Sequence, residues 1–106
     1  MAWIMLFAAG LLEVVWAFSL KQSHGFTRLA PTAVTLVAML ASFGLLAASM
    51  KTLPLGTAYT VWTGIGAVGA FVVGVVLLEE PVSPLRVVAA VLIVSGLLLM
   101  KLSSTE

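Results

Sequence analysis

The chain has 106 residues, 62% of them hydrophobic and 8% charged, with a formal net charge of +1 and no cysteine. Soluble domains carry about 25% charged residues, so charge this sparse excludes a water-facing fold and makes lipid the solvent. The composition also excludes disulfides, thiolate metal sites and thiol nucleophiles. It offers no basic run to hold nucleic acid, and the length allows one domain.

Four apolar stretches stand between short polar breaks, over residues 3–20, 30–49, 57–78 and 85–102. Each matches the roughly 20 residues that cross about 30 Å of hydrocarbon as a helix. In lipid each span must satisfy its own backbone, so all four are predicted to be helices. The first lacks a basic n-region and carries Glu13, so it reads as a span and not as a cleaved signal peptide. Glu13 is the only ionisable residue in the interior of a span. A charge at the bilayer centre costs about 3 kcal/mol or more, which makes such a residue a functional candidate. Ala9 and Gly10 lie one turn before it, and Trp16 and Ala17 one turn after. Small neighbours leave space beside the acid, and a carboxylate with an indole face is a natural receptor for a cation. The structural alternative is a protonated Glu13 in a helix–helix hydrogen bond, with Trp16 anchored at the interface near Lys21.

After the break Lys21-Gln22-Ser23-His24-Gly25, the second span opens with Pro31, where a missing N–H is tolerated. It bears Thr35, Ser42 and Ser49 at heptad spacing, with Met39 one turn before Ser42. Such hydroxyls also serve as packing glue between helices, but Ser42 stands at mid-membrane depth and is the candidate for a site. The third span follows Lys51-Thr52-Leu53-Pro54 and places Tyr59 and Trp62 on one face. Both carry a donor that can orient a carboxylate without adding charge, although aromatic belts offer another reason for them. Gly56, Thr60 and Gly64, and then Gly66, Ala70 and Gly74, recur every four residues, a spacing suited to close helix approach. Gly64-Ile65-Gly66 near the span centre is also a candidate hinge. The fourth span follows Glu79-Glu80-Pro81-Val82-Ser83-Pro84 and has no aromatic residue. Its Ala89 and Gly96, seven apart among Leu92, Ile93 and Leu97, read as a contact surface for another helix and hence for a dimer.

Enzyme chemistry finds no foothold. His24 is the sole histidine and lies in a break, so no metal cluster or histidine base is expected. Glu79-Glu80 stands in an exposed turn, and there is no phosphate-cradling glycine loop with a lysine. No cofactor is expected, and any transport must draw on a gradient. Lys51, Lys101 and the N-terminus share one side, while Lys21, Arg28 and Arg86 share the other. A balance this even sets no clear orientation. Dual topology is therefore inferred, and with it an antiparallel pair of identical subunits, the alternative being one orientation with weak signals.

The run Glu13-Val14-Val15-Trp16-Ala17 resembles the first helix of small multidrug resistance (SMR) transporters. So do Gly25-Phe26-Thr27-Arg28-Leu29 with Pro31, and the stretch from Leu53 through Tyr59-Thr60-Val61-Trp62 to Gly66. The likeness covers essentially the whole chain. Trp16, three residues beyond the acid, resembles the guanidinium-exporter subtype, where the multidrug subtype usually has glycine. The resemblance implies an all-α antiparallel dual-topology homodimer, multi-pass in a bacterial inner membrane, that exchanges protons for guanidinium-type cations. It implies that Glu13 takes proton or substrate, that Trp16 and Ser42 line the pocket with Gly10 and Met39, and that Tyr59 and Trp62 orient the acid. Thr60 stands where alanine is common, and Glu79-Glu80 makes the last break unusually acidic, but neither touches the pocket motif. A broad exporter of lipophilic quaternary ammonium cations and a non-transporting membrane assembly subunit are the rival readings. Residues 1–106 are thus expected to form one four-helix transmembrane domain.

Overall fold

The computed structural model describes residues 1–103, and these form four α-helices: α1 (Ala2–Gln22), α2 (Leu29–Ser49), α3 (Leu55–Leu77) and α4 (Pro84–Ser103). No strand occurs among the described residues. With 20 to 23 residues each, and about 1.5 Å of rise per residue, the helices match the thickness of the hydrocarbon layer. All four are long and apolar enough to cross a membrane.

The helix ends follow backbone chemistry more closely than they follow hydrophobicity. α1 continues through Lys21 and Gln22, past the predicted end of the apolar run, because polar side chains do not interrupt backbone bonding. α3 begins at Leu55, two residues earlier than predicted, directly after Pro54 in an extended conformation. Pro84 occupies the first position of α4, and Pro31 lies in the first turn of α2, where no N–H partner is lost. The α1–α2 connection turns on Ser23, which is fully buried. Its Oγ donates to the Leu20 carbonyl at 2.7 Å and accepts from the Phe26 N–H at 3.1 Å. Its carbonyl accepts from the Thr27 and Arg28 N–H groups. His24, Gly25 and Phe26 all have positive φ, and glycine relieves the strain at only one of the three.

α1 packs against α2 on one side and α3 on the other, α4 packs mainly along α3, and α2 meets α3 at few points. The helices therefore lie in the order α2, α1, α3, α4, in a slab of 43 × 34 × 16 Å. Its short dimension is little more than one helix diameter of about 10–12 Å. The buried apolar core is correspondingly small: Leu6, Ala9, Leu46, Leu53, Ala58, Val61 and Trp62. Large side chains such as Val37, Leu40, Val76 and Leu92 point outward, as expected where lipid and not water surrounds the helices. Lys101 Nζ lies 4.6 Å from the ring centroid of Trp3, so the end of α4 meets the start of α1 through a cation–π contact.

Candidate functional site

The site is built where α1, α2 and α3 come closest. The polar stripe of α2 turns toward the bundle, and Thr35, Ser42 and Ser49 are all fully buried. Their hydroxyls do different things. Thr35 Oγ1 donates to its own helix at Pro31 O, 2.8 Å away, and Ser49 Oγ to Leu46 O at 2.7 Å. Ser42 alone leaves its helix, donating to the Ala9 carbonyl of α1 at 2.6 Å. Ser42 Oγ also accepts from the Trp62 indole N–H at 3.0 Å. One hydroxyl thus ties three helices together, and it ends on the carbonyl one turn before Glu13.

The Trp62 donor is therefore directed to Ser42, whereas the sequence suggests the acid as its target. Tyr59 lies against Trp62 with ring centroids 5.6 Å apart, and it is 53% exposed. Phe43, which the sequence reading passes over, stands between the two indoles. Its ring is 6.4 Å from Trp16 and 5.8 Å from Trp62, edge-to-face in both cases. Trp16, Phe43, Trp62 and Tyr59 form a continuous aromatic wall. The only signal for Phe43 was its place beside Ser42, and a lone phenylalanine in an apolar span resembles any lipid-facing residue.

Glu13 extends from α1 against α3, and its carboxyl group lies against the backbone of Gly66. Its Oε1 is buried and has no hydrogen-bond partner, as is the Trp16 Nε1 one turn away. Trp3 Nε1, near the start of α1, is also buried without a partner, and such unpaired buried polar groups are uncommon. Gly10 faces Ile65 of α3, Gly64 faces Leu97 of α4, and Met39 is half-buried on α2. α3 runs as one helix through Gly64 and Gly66, which face Leu97 and Glu13. Ala89 is exposed beside a cavity of about 500 Å³ between α1, α3 and α4. Gly96 lines a second groove, between α3 and α4, with Tyr59, Thr63 and Gly64. Among the described residues no cluster of metal-ligating side chains forms.

Four helices long and apolar enough to cross a membrane, with a recessed carboxylate and a wall of aromatic rings among them, define a small multi-pass membrane protein. The chain belongs to the Small Multidrug Resistance protein family, whose model matches residues 1–104. It is similar to the "Guanidinium exporter" of Escherichia coli (strain K12), with 58% identity over 104 residues, 98% of this chain and 99% of that protein. The "Guanidinium exporter" proteins of Citrobacter freundii and Salmonella typhimurium are 57% identical over the same shares of both chains. This family and these relatives make the chain a transporter rather than an enzyme, multi-pass in a bacterial inner membrane.

Proposed function

We propose that this protein exports guanidinium and small guanidinyl cations in exchange for protons, by alternating access of an antiparallel homodimer. The observation that carries the reading is the buried, unpartnered Oε1 of Glu13, set beside Trp16 and the aromatic wall. The names of the relatives at 57–58% identity supply the substrate class.

Guanidinium is planar, weakly hydrated and rich in N–H donors, so a carboxylate binds it through paired charge-assisted hydrogen bonds. The rings of Trp16 and Phe43 offer faces and edges to a flat cation once water is excluded. Ser42 and Trp62 hold the α1 turn that precedes the acid, and Tyr59 closes the open end of the wall. A proton and the cation need the same carboxylate oxygens. Occupancy by one displaces the other, and that competition couples the two fluxes. Each subunit would contribute one Glu13, and two oppositely inserted copies supply the inverted repeat that larger transporters build into one chain. α4, which has no buried residue, offers Ala89 and Gly96 to the second copy.

Proteoliposomes with a pH gradient and a trapped pH-sensitive dye test this directly. Guanidinium should drive proton movement with the native chain, and Glu13→Gln should lower the rate at least about a hundredfold, to the protein-free background. Proton-coupled guanidinium flux that persists in Glu13→Gln would overturn the mechanism. A bulky quaternary ammonium ion that outcompetes guanidinium would move the substrate class to lipophilic cations.

A further inference from the structure

We infer that Gly66 is a positioning residue for Glu13: its missing side chain forms the recess in α3 that seats the carboxylate. The inference rests on the reading of Glu13 as the shared site for proton and cation. A methyl group added at position 66 would overlap the Glu13 carboxyl carbon and Oε1, and would stand 2.8 Å from Cγ. Gly66 is itself buried, so the added group has nowhere else to go. The atoms it displaces are the far end of a flexible side chain, which can rotate away at low cost. Gly66→Ala should therefore keep the helices in place and move the acid. A misplacement near 1 Å at a reacting group is enough to cost about two orders of magnitude in rate.

The neighbouring glycines separate this role from ordinary close packing. Gly69 lies one turn along α3, and there a methyl group would overlap Cγ2 of Val14, the residue next to Glu13 on α1. The α1–α3 interface is thus perturbed by Gly69→Ala as well, but the partner is a methyl group and not the carboxylate. Glycine at 69 serves helix approach, whereas glycine at 66 serves the acid.

The test compares Gly66→Ala, Gly69→Ala and Glu13→Asp in the full-length chain, reconstituted in liposomes. Gly66→Ala should raise KM for guanidinium at least about tenfold and displace the pH profile of transport, while Gly69→Ala leaves that profile in place. Glu13→Asp shortens the acid by one methylene and makes room for the added methyl, so the Gly66→Ala penalty should shrink in the Asp background. A substrate-free readout accompanies these. The Glu13 carboxyl carbon, followed by NMR in glutamate-labelled protein and assigned with Glu13→Gln, should titrate at a different pH in Gly66→Ala and at the native pH in Gly69→Ala. If Gly66→Ala and Gly69→Ala titrate alike, the seat is disproved whatever the substrate proves to be. If the native chain moves no guanidinium but the NMR shift appears only in Gly66→Ala, the seat stands and the substrate assignment fails.

Discussion

Ser42 shows how much of this bundle depends on single polar atoms. Its hydroxyl both accepts from Trp62 and donates to Ala9, and the whole residue is buried. Removing it leaves the Trp62 N–H without a partner in an apolar setting, which costs about 1–3 kcal/mol. Membrane helices soften such losses, with double-mutant couplings averaging about 0.6 kcal/mol. Ser42→Ala should therefore destabilise the bundle by about 1–2 kcal/mol in reversible unfolding in mixed micelles. Trp62→Phe in the Ser42→Ala background should cost less than Trp62→Phe alone, because the orphaned donor is gone. Equal costs would mean that the hydroxyl and the indole are uncoupled. Spacing along α2 and α3 makes both residues legible as members of polar faces, but not as each other's partners. A single helix's pattern says which side chains share a face and is silent on which helix meets it. That is why the sequence points the Trp62 donor at Glu13 and gives Phe43 no distinguishing mark.

At the scale of helices, α1 and α3 approach through glycine on both sides: Gly10 of α1 receives Ile65, and Gly66 and Gly69 of α3 receive Glu13 and Val14. The three contacts are not equivalent. A methyl group at Gly10 would stand 2.6 Å from Cγ2 and 2.7 Å from Cβ of Ile65. A Cβ atom is fixed to the backbone and cannot rotate away, so the helices themselves must separate. Gly10→Ala should cost about 1–3 kcal/mol as an overpacked interface, read by thermal unfolding in detergent. Adding Ile65→Ala should recover part of that loss, and failure to recover it would remove the contact from the account. The four spans were legible because lipid demands long uninterrupted apolar helices, and only the ends shifted, at Gln22 and Leu55, where backbone bonding outlasts hydrophobicity. The small-residue spacing announced close approach as well. It did not announce that the approach would involve α1 with α3, or that Gly64 would be used by Leu97 of α4.

At the scale of the molecule, the slab is only 16 Å thick, and Glu13 is half-buried in it although its Oε1 is covered. Tyr59 and Phe43 are 53% and 44% exposed although they complete the aromatic wall, and in the proposed dimer a second copy would cover them. The charges bear on how such a copy would be inserted. With Lys51 and Lys101 on one side and Lys21, Arg28 and Arg86 on the other, neither orientation wins, and both should be populated. The chain has no cysteine, so Thr52→Cys in the α2–α3 connection gives a clean label of one side. In cells, an impermeant thiol reagent should reach about half of these cysteines from outside. Changing Arg28 and Arg86 to Gln leaves the Lys51 side the more positive, and labelling should then fall to a small fraction. The same change should abolish guanidinium export by that variant alone. Co-expression with Lys51→Gln/Lys101→Gln, biased the other way, should restore it, because each orientation again finds its opposite. Full export by one strictly oriented variant would mean that the site closes between parallel copies, and the inverted-repeat mechanism would have to be abandoned.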